Sequence, residues 1–124
     1  MDSMIVTTKE ELKAAVESKC GEIIVRGDLA KHVVEAKLMK NLSPTVVAAL
    51  IAGCALISPM LLAVLAGGFV AREKLLEIAE PLAEKTGLDI DAIFIISFVG
   101  YTNMRSLYTD WSMVERKGEV VFLR

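Results

Sequence analysis

Apolar and polar positions follow three different rhythms along this chain. In the first forty residues they are mixed and periodic. Thr8-Lys9-Glu10-Glu11 reads as a capping box, in which the Thr8 hydroxyl accepts from a first-turn amide while the Glu11 carboxylate accepts from the cap amide. Leu12, Ala15, Val16 and Lys19 then share one helical stripe, and Gly21 predicts a left-handed stop. Glu22-Ile23-Ile24-Val25-Arg26 is a β-branched run closed by Gly27-Asp28, which predicts a short strand at one edge of a small sheet. From Leu29 to Lys40, Leu29, Val33, Ala36 and Met39 recur at helical spacing, with Lys31, Glu35, Lys37 and Lys40 largely on the other sides. The basic side of that amphipathic helix suits anionic headgroups or plain solvent equally.

The second rhythm is uniform. Asn41 to Ala71 is a run of 31 residues without a charged side chain. Roughly 20 apolar residues already cross a hydrocarbon layer about 30 Å thick, so such a run either enters a bilayer or forms the core of a small domain. It reads as membrane-facing. Ser43-Pro44 is a strong helix start, and the same pair returns at Ser58-Pro59. A restart at Pro59 would give two helices of about 21 Å and 18 Å, too short to span, whereas a kink would leave one helix of about 40 Å. Ala49, Gly53, Gly67 and Gly68 are the candidate helix-packing residues, Ala49 and Gly53 having small-xxx-small spacing. Ala and Gly are also common in any apolar segment.

The third rhythm returns to mixed positions. Arg72 to Lys85 predicts an amphipathic helix interrupted by Pro81, and Thr86-Gly87 ends it. Asp89 caps a second apolar segment running from Ile90 towards Tyr108. Arg105, Tyr108 and Trp111 are candidate interfacial anchors, joined by Tyr101 in an aromatic belt, unless these aromatics simply fill a core. Asn103 is a candidate polar lining residue beside the same segment. Glu119 to Arg124 predicts a strand that pairs with Glu22 to Arg26. That pairing would put both chain ends on one side of a membrane and favour a hairpin of segments 44–70 and 90–108, with a weak basic bias placing the termini in the cytoplasm.

The expected fold is therefore α+β and mainly α. Residues 1–40 form an amphipathic helix-strand-helix cap, 41–108 a hydrophobic helical hairpin or bundle, and 109–124 a strand packing on the cap in a two-stranded sheet.

Composition sharpens the picture. Hydrophobic residues make up 54% of the chain and mean hydropathy is +0.52, yet 24% of residues are charged, so the charges must be segregated. The first forty residues hold seven basic and seven acidic side chains, and residues 72–91 hold three and six. A net charge of -2 with interleaved signs argues against a nucleic-acid partner. Two cysteines, Cys20 and Cys54, form no paired spacing and suggest a reducing compartment. The start Met1-Asp2-Ser3-Met4 has no basic n-region followed by an apolar h-region, so no cleaved signal peptide is expected.

Catalytic chemistry is hard to assemble from these residues. His32 is the single histidine, and no nucleophile motif surrounds Ser97, Ser106, Cys20 or Cys54. Asp89 and Asp91 could form a carboxylate pair, but a helix cap followed by a first-turn acid explains both. Phosphate-loop, dinucleotide and zinc spacings are missing, so neither enzyme activity, cofactor nor metal is expected.

The pattern Gly21-Glu22-Ile23-Ile24-Val25-Arg26-Gly27-Asp28-Leu29-Ala30, the basic helix to Lys40, Ser43-Pro44, and Pro81 to Leu88 before an apolar helix resemble a family of small uncharacterised bacterial proteins with an Ala/Gly-rich hydrophobic centre. The resemblance spans most of the chain and implies no activity or site residues. The acids around Pro81 make this chain's middle more polar than that pattern. Two functions stand against each other at this stage. One is a membrane-inserting, self-assembling protein acting by oligomerisation or permeability, with itself and the bilayer as partners. The other is a soluble homo-oligomeric interaction module with a very apolar helical core.

Overall fold

A computed structural model describes residues 2–124. Its sheet is built on the alternation in β2 (Glu22–Arg26), which turns Ile23 and Val25 to one face. The neighbouring strands continue those two rows: Met4 and Phe122 flank Ile23, while Val6 and Val120 flank Val25. Four strands pair in the order β1 (Ser3–Val6), β2, β4 (Glu119–Leu123), β3 (Ser112–Arg116). β1 runs parallel to β2, and β2 with β4 and β4 with β3 are antiparallel. The expected pairing of Glu22–Arg26 with the C-terminal strand is present. The expected two-stranded sheet is corrected to four strands, and β2 lies inside the sheet instead of at its edge. β1 and β3 are short, and Ser112-Met113-Val114-Glu115-Arg116 has too little apolar character to stand out before β4 pairs with it.

The described residues also form six α-helices, of which α1, α2 and α6 pack on the strands. α1 (Lys9–Glu17) starts with the expected capping box, Glu11 N donating to Thr8 Oγ1 at 3.2 Å and Thr8 N donating to Glu11 Oε1 at 3.2 Å. Its stop falls earlier than expected: Lys19, not Gly21, takes the positive φ of 56°, and the turn delivers Cys20 into the core. α2 (Asp28–Ala36) tightens into a 3-10 turn over Lys37–Asn41. α3 (Pro44–Leu65) is capped by Ser43, whose Oγ accepts from Val46 N.

Proline breaks neither long helix. Pro59 lies inside α3 and Pro81 inside α4 (Arg72–Thr86), so the first is one continuous helix and the expected interruption of the second is corrected. Both prolines are exposed, as are Ala55 and Glu77 four residues earlier, so each carbonyl that loses its helical partner belongs to an exposed residue.

α5 (Ile90–Val99) is the centre of the molecule. Ala92, Ile93, Ile95, Ile96, Ser97, Phe98 and Val99 are all buried, and α5 packs against α1, α2, α3, α4 and α6 (Tyr101–Asp110). A helix apolar all round is as much the signature of a core helix as of a membrane span. Gly100, at φ 104°, separates α5 from α6, so the 90–108 segment is two helices inside the body. One apolar cluster draws residues from 1–40, 41–108 and 109–124 alike.

Candidate functional site

α3 is where apolar side chains remain in the open. Only Leu50, Gly53, Cys54 and Ile57 among its 22 residues are buried, a single stripe laid against the body. The other sides present Ile51, Leu56, Leu62, Val64 and Leu65 to solvent, with Leu56 at 61% and Leu65 at 57% exposure. Beyond the helix, Phe69 is 93% exposed, so it contributes nothing to the body's core. Single exposed apolar side chains need no explanation, but so many along one helix and the connection after it make this the most apolar exposed stretch to weigh as a candidate site. α3 is also the one helix among the described residues long and apolar enough to cross a membrane.

α4 folds back along α3 and limits what that surface can do. Gly53 is the close-approach point, because a Cβ there would overlap Leu82 of α4. Counting 1.5 Å per residue from this contact puts Arg72 roughly level with Ala63. Past that level lie only Val64, Leu65 and the Ala66–Ala71 connection, all uncharged. The hairpin thus ends in an apolar tip with charged side chains beginning behind it. At the tip Met60, Phe69, Val70, Ala71 and Lys74 line a cavity of about 370 Å³.

The other residues singled out from the sequence fall in different places. Ala49 is half-buried, and Gly53 packs helices within the chain, so its small size serves the α3–α4 contact. Gly67 and Gly68 are exposed and end α3: Gly67 has φ 92° and Gly68 N donates to Ala63 O at 2.8 Å, so they turn the chain instead of forming a packing face. Tyr108 and Trp111 are corrected from interfacial anchors to core residues. Both are buried, with the Tyr108 hydroxyl donating to Val33 O and Trp111 Nε1 donating to Cys20 O at 2.8 Å. Burial pushes the Tyr108 phenol well above the usual tyrosine range. Arg105 is exposed, and Asn103 donates through Nδ2 to Val99 O at 2.9 Å across the α5–α6 break. Asn103 therefore braces a turn inside the body instead of lining a path through a membrane segment.

The fold brings together three groups that the sequence presents separately. His32 of α2 faces the first turn of α5, with Nδ1 3.9 Å from Asp89 Oδ2 and Nε2 3.7 Å from Asp91 Oδ2. Glu35, one turn along α2, brings Oε2 to 3.9 Å from the same Nδ1. Glu35 is the member sequence reading missed, although its i,i+3 spacing from His32 on a helix is a signal for one shared face. His32 and Asp91 also line an open cleft of about 370 Å³ with Thr7, Lys9, Phe94 and Ile95.

A family model described as Uncharacterised protein PM1101 matches residues 5–122. The chain belongs to that family. No curated protein and no solved structure matches it. The PM1101 match runs from within β1 to within β4, so it takes in α3, the hairpin tip and the His32 constellation together.

Proposed function

We propose that this PM1101-family protein docks on lipid bilayers through the apolar end of the α3–α4 hairpin and self-assembles there through the outer face of α3. The observation that carries the reading is the exposure of Leu62, Val64, Leu65 and Phe69 together at one uncharged end. Fully burying one such Val, Leu or Phe side chain is worth about 1.5–3 kcal/mol, so several in concert give a useful partition into the interfacial layer. The docking is shallow. A full crossing by α3 would pull Arg72, Glu73, Lys74 and Glu77 of α4 into hydrocarbon, and charged residues at a helix centre cost about 2.5–3.5 kcal/mol each on insertion scales. With α5 inside the body, the hairpin that meets lipid in this reading is α3 with α4, and the protein acts by assembly on the surface. The Ala/Gly-rich centre of the resemblance corresponds in this chain to α3 and its tip.

A second reading keeps the protein in water as a homo-oligomer. Ala48, Ala52, Ala55 and Pro59 are exposed at four- and three-residue spacing, which lets an α3 helix from a second copy approach closely. Expression of the untagged chain followed by fractionation separates the two. Membrane docking predicts a pellet that keeps the protein through a high-salt wash and releases it in detergent. Recovery in the aqueous supernatant as a defined oligomer supports the second reading and removes the first.

A further inference from the structure

We propose that His32, Glu35 and Asp89 form a binding site for a divalent transition-metal cation of the zinc class, with Asp91 as the residue that orients the histidine. His32 Nδ1, Glu35 Oε2 and Asp89 Oδ2 lie within 4.8 Å of one another. With Nδ1 3.9 Å from each oxygen, an ion at their centre stands roughly 2.3–2.5 Å from every donor, so a closure of a few tenths of an ångström reaches bonds of about 2.0–2.2 Å. None of these separations is a hydrogen bond. They suit donors that share an ion better than donors that share a proton.

Three further features support the site. His32 Nδ1 is buried and has no hydrogen-bond partner, a state that costs free energy unless a ligand satisfies the nitrogen. Asp89 is held in place, because its Oδ1 accepts from Ala92 N at 2.7 Å as the cap of α5 while Oδ2 stays turned to the imidazole. Asp91 Oδ2 lies 3.7 Å from Nε2, on the far side of the ring, and a small rotation of its exposed side chain brings it to hydrogen-bond length. Metal-bound histidines almost always present their second nitrogen to a carboxylate or carbonyl, which fixes the tautomer and leaves the ligating nitrogen unprotonated.

The donor set narrows the ion. One imidazole with two carboxylates and no thiolate favours first-row divalent ions over magnesium, which keeps its waters and prefers oxygen alone. A bound ion ties α2 to the first turn of α5. The site is independent of the membrane reading, since it lies on other elements than α3 and its tip.

Zinc titrated into the full chain by calorimetry tests this. One equivalent per chain is expected, with a rise in Tm that grows with free zinc by mass action and is not reproduced by magnesium. His32→Gln and Glu35→Gln should each weaken binding at least about tenfold, and Asp91→Asn by about 10- to 100-fold. The ring nitrogen signals of His32 should show zinc on Nδ1. Failure of the wild-type chain to bind zinc overturns the site. So does undiminished zinc affinity in Glu35→Gln, a change at an exposed position that keeps the fold intact even if His32→Gln does not.

Discussion

A methyl group added at Gly53 would overlap Leu82 Cδ1 and stand 3.0 Å from its Cγ, so the approach of α3 to α4 depends on a missing side chain. Gly53→Ala should therefore cost about 1–3 kcal/mol through overpacking. Leu82→Ala in the same chain should restore part of that loss, as a double-mutant cycle in denaturant would register; strictly additive losses would mean the two residues do not meet. Tyr108 gives a second residue-scale prediction. Tyr108→Phe leaves the Val33 carbonyl without its donor, and an unsatisfied buried group costs about 1–3 kcal/mol, to be read as a fall in Tm. Glu11 gives the pH prediction. The backbone amide and then the hydroxyl of Thr7, followed by Thr8, hold its carboxyl below the usual glutamate range. A depressed folded-state value means stability that is present above the unfolded value and lost as pH falls through the folded one. Wild type and Glu11→Gln should thus differ in Tm at neutral pH and converge as acid carries the pH below the ordinary glutamate range. A constant gap across that window would contradict the capping role.

At the scale of elements, local chemistry was the most legible part. The caps at Thr8, Ser43 and Asp89 all appear as expected, because each depends on residues within one turn. The pairing of Glu22–Arg26 with the final strand was also readable, since both are β-branched runs bounded by turn residues. β1 and β3 were not: β1 depends on β2, which lies beyond α1 in sequence, and β3, although it joins β4 through the tight Lys117-Gly118 turn, has too little apolar alternation of its own to stand out. α5 was misread for a physical reason: beyond its first turn it has no polar face and is almost wholly buried, and its composition does not distinguish protein from lipid around it. The sequence leaves Pro59 open between a kink and a restart and points at Pro81 to an interruption, because the outcome depends on whether the orphaned carbonyl can reach solvent, and here Ala55 and Glu77 are both exposed. Pro81→Ala should accordingly restore a helical hydrogen bond without disturbing the core and stabilise the protein by about 1–3 kcal/mol in denaturant unfolding. A loss of stability would mean that Pro81 makes contacts that the helix needs.

For the whole molecule, the uncharged run announced an apolar surface or core, and α3 turns out to serve as both: one stripe buried, the remainder open. The aromatic anchors could not be sorted from the sequence, since Tyr108 and Trp111 at a bilayer interface and in a core have the same spacing. The His32 constellation was legible only as fragments, because His32 and Asp89 lie far apart until α2 packs on α5. The charges nearest the tip, Arg72 and Lys74 against Glu73 and Glu77, balance, so docking should depend little on salt or on anionic lipid. The most direct test of the account is vesicle flotation of the full chain with zwitterionic lipid, comparing wild type with Phe69→Asp. Phe69 touches nothing that the core requires, so the variant should keep its fold by circular dichroism. The wild type should float with the vesicles and Phe69→Asp should lose at least about tenfold in partition, in line with about 1.5–3 kcal/mol for one buried Phe. A wild type that stays at the bottom of the gradient, or a variant that floats equally well, would contradict docking through the hairpin tip.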